Sequence, residues 1–337
     1  MDILLHYTDE YIFDSIYSYL LPNPHIPNTR SSLSEELLYN KTNLNSDYST
    51  SITYYPPPNN NNEITGSLLS RDNILRQGIS IFTIALLGAY IMYFLFCSIS
   101  YFFFYDKRLE YHPKFLKNQK LKEIKSSLIA APIIDLITLP WFLGEVNGYS
   151  KLYENIEDFG WLYLIGSCLM FLLFTDLAIY WIHRIEHHPL IYKHIHKPHH
   201  KWIVPTPYAA LAFHPLDGYA QSLPYHIFPF LFPLHKYAYL GLFVFVQFWT
   251  ILIHDGDMIS GHFLERYINS PAHHTLHHLY FTVNYGQYFT WADSFWDSYR
   301  SPEDKLDPIH ASIENMKKKG LLDSNGKPIP KSNKKDL

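Results

Sequence analysis

Sixteen of the 20 histidines fall between His183 and His278, and their spacing is what first suggests chemistry. His183 and His187 stand four residues apart. His196, His199 and His200 follow at i, i+3 and i+4, and His274, His277 and His278 repeat that interval. On a helix each set presents its rings from one face. Imidazole donors with little thiolate favour a transition metal over calcium or magnesium. Eight such ligands exceed what one tetrahedral ion takes, and they suit two metals that keep open positions. The other polar residues of this region are less committed. His254, which ends an apolar run, is a ninth candidate ligand. His262 is a weaker one, with an exposed polar position as the plain alternative. His214, within FHPLDG, divides between ligand, hydrogen-bonded support and structural turn. His188, His194 and His273 adjoin the sets but point elsewhere on a helix. Asp135 and Asp176 sit inside apolar runs, where a central carboxylate costs about 2.5 to 3.5 kcal/mol. For Asp176 that points either to support of a ligand through a hydrogen bond or to helix pairing.

The elements that must position these residues are membrane spans. No charged residue occurs from Gln77 to Tyr105, and about 20 apolar residues suffice to cross a bilayer. Further apolar runs extend from Ser126 to Leu143 and from Trp161 to Ile182. Residues 223 to 253 form a fourth region with hairpin character, its first arm expected to be irregular or short because of Pro224, Pro229 and Pro233. It either re-enters the bilayer or crosses it twice. The expected fold is an all-α integral membrane protein of about four to five transmembrane helices, with a His-rich helical cap holding a dimetal centre.

Charge sets the orientation. The loop after the first span carries Lys107, Arg108, Lys114, Lys117, Lys120, Lys122 and Lys125, a bias that places it in the cytosol. The next loop has Glu145, Glu154, Glu157 and Asp158 against Lys151 and is expected on the lumenal side. The third span then returns the chain to the cytosol as the histidines begin, so all three sets share one aqueous face. Three regions follow from this reading: a polar and lumenal segment at 1–75, a membrane-embedded domain at 76–300, and a charged cytosolic tail at 301–337. The first begins with an amphipathic stretch (Ile3, Leu4, Tyr7, Tyr11, Ile12, Ile16, Leu20) and has no secretory signal. Its linker holds Pro56 to Pro58 and Asn59 to Asn62, and Asn40-Lys41-Thr42 is a glycosylation sequon. Lys334 and Lys335, close to the end of the tail, have the form of a dilysine retrieval signal.

Composition agrees with a bilayer-embedded protein and excludes other classes. Across 337 residues, 47% are hydrophobic and aromatics equal charged residues at 17% each, which excludes a disordered chain. Mean hydropathy is only -0.11, because polar ends average out an apolar middle. A net charge of -4 offers phosphate no electrostatic footprint, so no nucleic-acid partner is expected. Cys97 and Cys168 lie in apolar runs and supply neither a disulfide framework nor a thiolate site.

The three boxes HRIEH, HKPHH and HTLHH, in this order after membrane spans, resemble the fatty acid hydroxylase and sterol desaturase superfamily of membrane di-iron enzymes over roughly residues 75 to 300. Within it, KWIVPTPYAALAFHPLDG and NYGQYFTWADSFWDSY are similar to the sterol C-5 desaturase branch. That resemblance implies an oxygen-dependent C5(6) dehydrogenation of a Delta7-sterol on a path to ergosterol or cholesterol. Its implied cofactors are two iron ions and O2, with NAD(P)H-derived electrons arriving through cytochrome b5 and its reductase. The metal-ligand roles carry over to His183, His187, His196, His199, His200, His274, His277 and His278. An endoplasmic reticulum membrane location follows, with the His boxes and the C-terminus cytosolic. The physical logic is that breaking an unactivated C–H bond is beyond acid–base side chains, so a metal must supply the oxidant and the protein orientation and dryness. Trp291, Phe295 and Trp296 either line a sterol entry or pack at the membrane interface.

Two rival functions stay open. A C-4 methylsterol or fatty-acyl hydroxylase would use the same metals in a differently shaped cavity. A membrane metal transporter would place its ligands at mid-bilayer on broken helices, whereas these histidines flank the spans.

Overall fold

Apolar length dictates the long elements. In the computed structural model, which describes residues 1–23 and 66–322, we number the helices of ten or more residues in chain order. Three are long and apolar enough to cross a membrane: α1 (Ile74–Phe103), α2 (Gln119–Val146) and α3 (Gly160–Glu186). They are followed by α4 (Pro215–Leu231), α5 (Lys236–Leu252), α6 (Pro271–Tyr280) and α7 (Pro308–Lys318). Leu162, Ile165, Leu169 and Leu173 form an outward stripe on α3, and α1 exposes Leu87, Ile91 and Phe102. Stripes of this size are lipid-facing surfaces rather than solvent-facing ones. The chain is a multi-pass membrane protein.

The described residues fall into two compact units. The first joins Met1–Ala85 to Leu139–Tyr149. Its N-terminal stretch folds as helices Asp2–Thr8 and Asp14–Leu20 around a π-helical turn at Asp9–Phe13. Leu5, outside the expected apolar set, buries itself with Ile81, Phe142 and Val146, while Tyr7, Tyr11, Ile12, Ile16 and Leu20 of that set face outward. The guanidinium of Arg76 is buried and ion-paired with Asp9 at 2.9 Å and also with Asp14.

The second unit, Leu86–Thr138 with the described residues from Ser150 onward, contains every His box. Its organising pair is α3 against α4, where Phe171 packs edge-on to Phe228 with ring centroids 5.1 Å apart. The expected irregular first arm is corrected here. Helix α4 is continuous over 17 residues with Pro224 and Pro229 inside it; a neighbouring segment takes up one of its carbonyls, the Lys151 N–H donating to Pro229 O at 2.6 Å. That carbonyl lies in the last turn of α4, where its i+4 residue is Pro233 and offers no N–H, so the bond from Lys151 satisfies a helix-end group.

Strand β1 (Leu152–Tyr153) pairs in parallel with β2 (Leu234–His235), the tip of the α4–α5 hairpin. Because β1 lies just before α3, the hairpin tip sits at the N-terminal end of α3. The opposite ends of the arms carry His214 and His254, next to the boxes that follow the C-terminal end of α3. Each 17-residue arm covers roughly 25 Å at 1.5 Å per residue, shorter than the 27-residue α3.

Helix α7, within the expected tail, docks on the 3-10 turn Lys107–Tyr111, where Asn315 donates to Tyr111 O at 2.6 Å. The linker prolines and asparagines, the sequon at Asn40 and the dilysine pair Lys334 and Lys335 lie outside the described residues.

Candidate metal centre

The first box is the last turn of α3. His183 is buried there, and His187 is the C-cap, its N–H donating to His183 O at 3.2 Å. His188 then caps a short helix, Pro189–Tyr192, that turns the chain back. The second box is a single helical turn, Lys197–His200, opened by His196. Trp202, fully buried, locks it down by donating from Nε1 to Ala212 O at 2.8 Å. The third box is α6, entered through a capping box between Ser270 and His273. Three short helical pieces thus deliver their imidazoles to one place.

The structure brings all eight box histidines together in two groups. His183, His187, His196, His200 and His277 form the first; His199, His254, His274 and His278 form the second, with ligand atoms in each group within 4.8 Å of one another. In the first, the Nε2 atoms of His187, His200 and His277 are mutually 3.0 to 3.2 Å apart. In the second, His254 Nε2 lies 3.4 Å from His199 Nε2 and 3.0 Å from His274 Nε2, which in turn is 3.2 Å from His278 Nε2. Two nitrogens bound to one metal at about 2.1 Å are about 3.0 Å apart at a right angle and about 3.4 Å apart at the tetrahedral angle. The observed separations are those of neighbouring ligands on a common ion.

Ring orientation supports the same reading. His183 Nδ1 donates to Tyr285 O at 3.0 Å, His277 Nδ1 to Val283 O at 2.7 Å, and His254 Nδ1 to Thr250 O at 2.7 Å. His196 Nδ1 faces the Asp217 carboxylate at 2.8 Å. A proton fixed on Nδ1 leaves the Nε2 lone pair aimed inward, as metal-ligating histidine requires. His183 Nε2 and His196 Nε2 are buried without a hydrogen-bond partner, a cost that coordination removes. Burial first, and then neighbouring imidazoles, hold His199, His200, His274, His277 and His278 well below the ordinary histidine value. They stay neutral, which is the ligand form. The donor set fits two metal ions.

Of the remaining candidates, His254 joins the second group and His214 and His262 join neither. His214 caps α4, accepting from the Leu216 N–H at 3.2 Å, and His262 is exposed before a 3-10 turn. Asp176 also stands outside both groups. Its Oδ1 accepts from the N–H groups of Gln287, Tyr288 and Phe289 at 2.7 to 3.2 Å, so it shapes the loop whose Tyr285 carbonyl steers His183. Asp293 grips the same loop through the Tyr285 and Gly286 N–H groups, both at 2.8 Å. Sequence reasoning missed Asp217 and Glu186, which group with His196. The clue for Asp217 was an acidic residue in the first turn of a helix opened by proline; nothing in sequence marks the backbone carbonyls.

A cavity opens beside the imidazoles. Helix α3 contributes Ile179 and His183; α4 contributes Gly218, Gln221, Ser222 and Tyr225; α5 contributes Val246, Gln247, Thr250 and, just past its end, Ile253 and His254. Each set follows helical periodicity, so one face of every helix lines the space. Gly218 is required there, since a Cβ would run into the Phe213 ring and come within 2.9 Å of Ile134 Cδ1. Trp291, Phe295 and Trp296 are not among the lining residues; Trp296 stacks on Tyr180 with ring centroids 5.3 Å apart.

The family model for fatty acid hydroxylase matches residues 168–298. A Delta(7)-sterol 5(6)-desaturase of Gibberella zeae is 56% identical over 333 residues, covering 98% of this chain and 99% of that protein. A second protein of that name, from Aspergillus fumigatus, is 49% identical with the same coverage, 98% and 99%. The lathosterol oxidase of Rattus norvegicus is 53% identical over 251 residues, 74% of this chain and 84% of its own length. No solved structure matches.

Proposed function

Because the chain belongs to the fatty acid hydroxylase and sterol desaturase family, alongside Delta(7)-sterol 5(6)-desaturases and lathosterol oxidases, we propose that it is the oxidoreductase that introduces the C5=C6 double bond into a Delta7-sterol. The observation that carries this reading is the convergence of nine imidazoles, eight of them buried, into two Nε2-facing groups beside a largely apolar cavity, in a chain that aligns over 98% of its length with a sterol desaturase.

The eight box histidines and His254 are the proposed ligands of two iron ions. When bound, iron supplies the redox chemistry that activates dioxygen for cleavage of unactivated C–H bonds. The overall reaction balances when O2 accepts two electrons and two protons from C5 and C6 of the sterol, two further electrons from a donor and two protons from water, leaving two waters. Cytochrome b5, reduced from NAD(P)H through its reductase, is the proposed donor. What the chain does is hold and exclude. Tyr285 O, Val283 O, Thr250 O and Asp217 fix the ring tautomers, and Ile179, Tyr225, Val246 and Ile253 offer the sterol rings apolar walls. A substrate arriving from the bilayer keeps water away from the reacting carbons.

The proposed location is the endoplasmic reticulum membrane, with the boxes and C-terminus cytosolic and the N-terminus lumenal, on the charge bias of the loops. Changing Lys334 and Lys335 to serine should release a tagged protein to later secretory compartments; complete retention would move the address to the spans.

The decisive test is to express the chain in cells that lack C-5 desaturation and identify the sterols. Conversion of Delta7-sterols to Delta5,7-sterols is expected, together with its loss in His199→Ala and His277→Ala. Accumulation of hydroxylated 4-methylsterols or hydroxy fatty acids would instead favour a hydroxylase, and unchanged sterols with bound metal a transporter.

A further inference from the structure

Five residues of the α5 segment line the cavity: Val246, Gln247, Thr250, Ile253 and His254. Their spacing, i, i+1, i+4, i+7 and i+8, is one helical face running from mid-helix to the second imidazole group. Gln247 is the anomaly. It interrupts the apolar run LFVFVQFWTIL, where a polar side chain without a hydrogen-bond partner is costly.

Beyond the imidazoles, the other amide and hydroxyl side chains of the cavity have partners inside the protein. Gln221 Nε2 donates to Asp217 at 2.6 Å, Ser222 Oγ to Tyr219 O at 2.9 Å, and Gln287 Nε2 to Thr250 Oγ1 at 3.0 Å. The Tyr225 hydroxyl accepts from that of Tyr288 at 3.2 Å. Among the described residues, the half-buried Gln247 amide makes no hydrogen bond. It therefore keeps an N–H donor and a carbonyl acceptor for whatever enters.

We propose that Gln247 recognises the ring hydroxyl of the sterol and so sets which carbons face the metal centre. This deepens the desaturase reading and rests on it. A sterol is an apolar tetracycle with one hydroxyl at C3, on the ring that contains C5. An amide bonds a hydroxyl in both directions, accepting its proton and donating to its oxygen. Gln247 precedes His254 by seven residues, about 10 Å along the helix axis. A hydroxyl held at Gln247 leaves C5 and C6 on the side toward the imidazoles, whereas an apolar residue at 247 would let the rings slide or enter reversed. A site built to bond a substrate hydroxyl discriminates strongly against analogues without it.

The test uses microsomes containing the full-length protein, assayed with lathosterol and with its 3-deoxy analogue. The wild type should favour lathosterol in kcat/KM by about tenfold or more, the loss of one well-made hydrogen bond. Gln247→Leu should collapse that ratio toward one, chiefly by raising KM for lathosterol. Gln247→Glu, which still accepts, should keep part of it, and Gln247→Met serves should the leucine variant fail to accumulate. Unchanged discrimination in the leucine or methionine variant, or none in the wild type, overturns the assignment of Gln247 while leaving the desaturase reading intact. A wild type that converts neither compound overturns the desaturase reading and this inference with it.

Discussion

His196 and Asp217, 21 residues apart, meet at 2.8 Å between Nδ1 and Oδ2 with both side chains fully buried. The contact links the second His box to the first turn of α4. A carboxylate behind an imidazole fixes its tautomer and raises its basicity toward a metal. Gln221 in turn holds the other oxygen of Asp217, so the orientation passes from α4 to His196 through two hydrogen bonds.

Asp217→Ala should therefore cost about 10- to 100-fold in metal affinity or activity. Asp217→Asn, which retains an acceptor oxygen, should cost less. Metal content per protein and turnover, measured together, check this; normal values for both in the alanine variant would remove Asp217 from the support of His196.

Two histidines near the boxes should behave oppositely. His254, buried within 3.0 Å of His274 Nε2, is expected to be indispensable, and His254→Ala should lower the metal content toward one ion per chain. The exposed His262 belongs to neither group, and His262→Ala should keep metal and activity at wild-type levels. Elemental analysis of the two purified variants separates them.

Acid should strip the centre. His199, His200, His274, His277 and His278 are held far below their ordinary value of 6.5, first by burial and then by one another. In that window the unfolded chain binds more protons than the folded one, so stability is full above about pH 6.5 and falls as pH drops below it. Protons compete with the metal in the same direction. Dialysis at pH 5 should remove metal and lower the unfolding temperature, while dialysis at pH 7.5 should do neither.

The hairpin gives a topological prediction. With the native cysteines replaced, Tyr237→Cys at the tip and Lys193→Cys beside the boxes, both exposed, should react with an impermeant maleimide from opposite sides of sealed vesicles. Labelling of both from one side would make the hairpin re-entrant.

Much of this protein is local in its sequence. Uncharged length alone yields α1, because the bilayer demands it whatever surrounds the helix. The i, i+3, i+4 intervals alone predict that the rings of one box point together, because helical periodicity is a property of the segment. Tertiary structure decided how the boxes are shared. His199 and His200 are adjacent in sequence yet enter different groups, and His277 joins the first group while His274 and His278 join the second. Spacing cannot express that division, since successive residues on one short helix differ by about 100° in direction and their partners come from distant segments. The same holds for His254, admitted because α5 ends against α6, and for His214, excluded because its ring caps α4. Asp217, the carbonyls of Tyr285 and Val283, and the free amide of Gln247 acquire their roles only once α3, α4 and α5 pack around one cavity. A hydrogen bond depends on where two atoms meet, and for these residues only the fold fixes that.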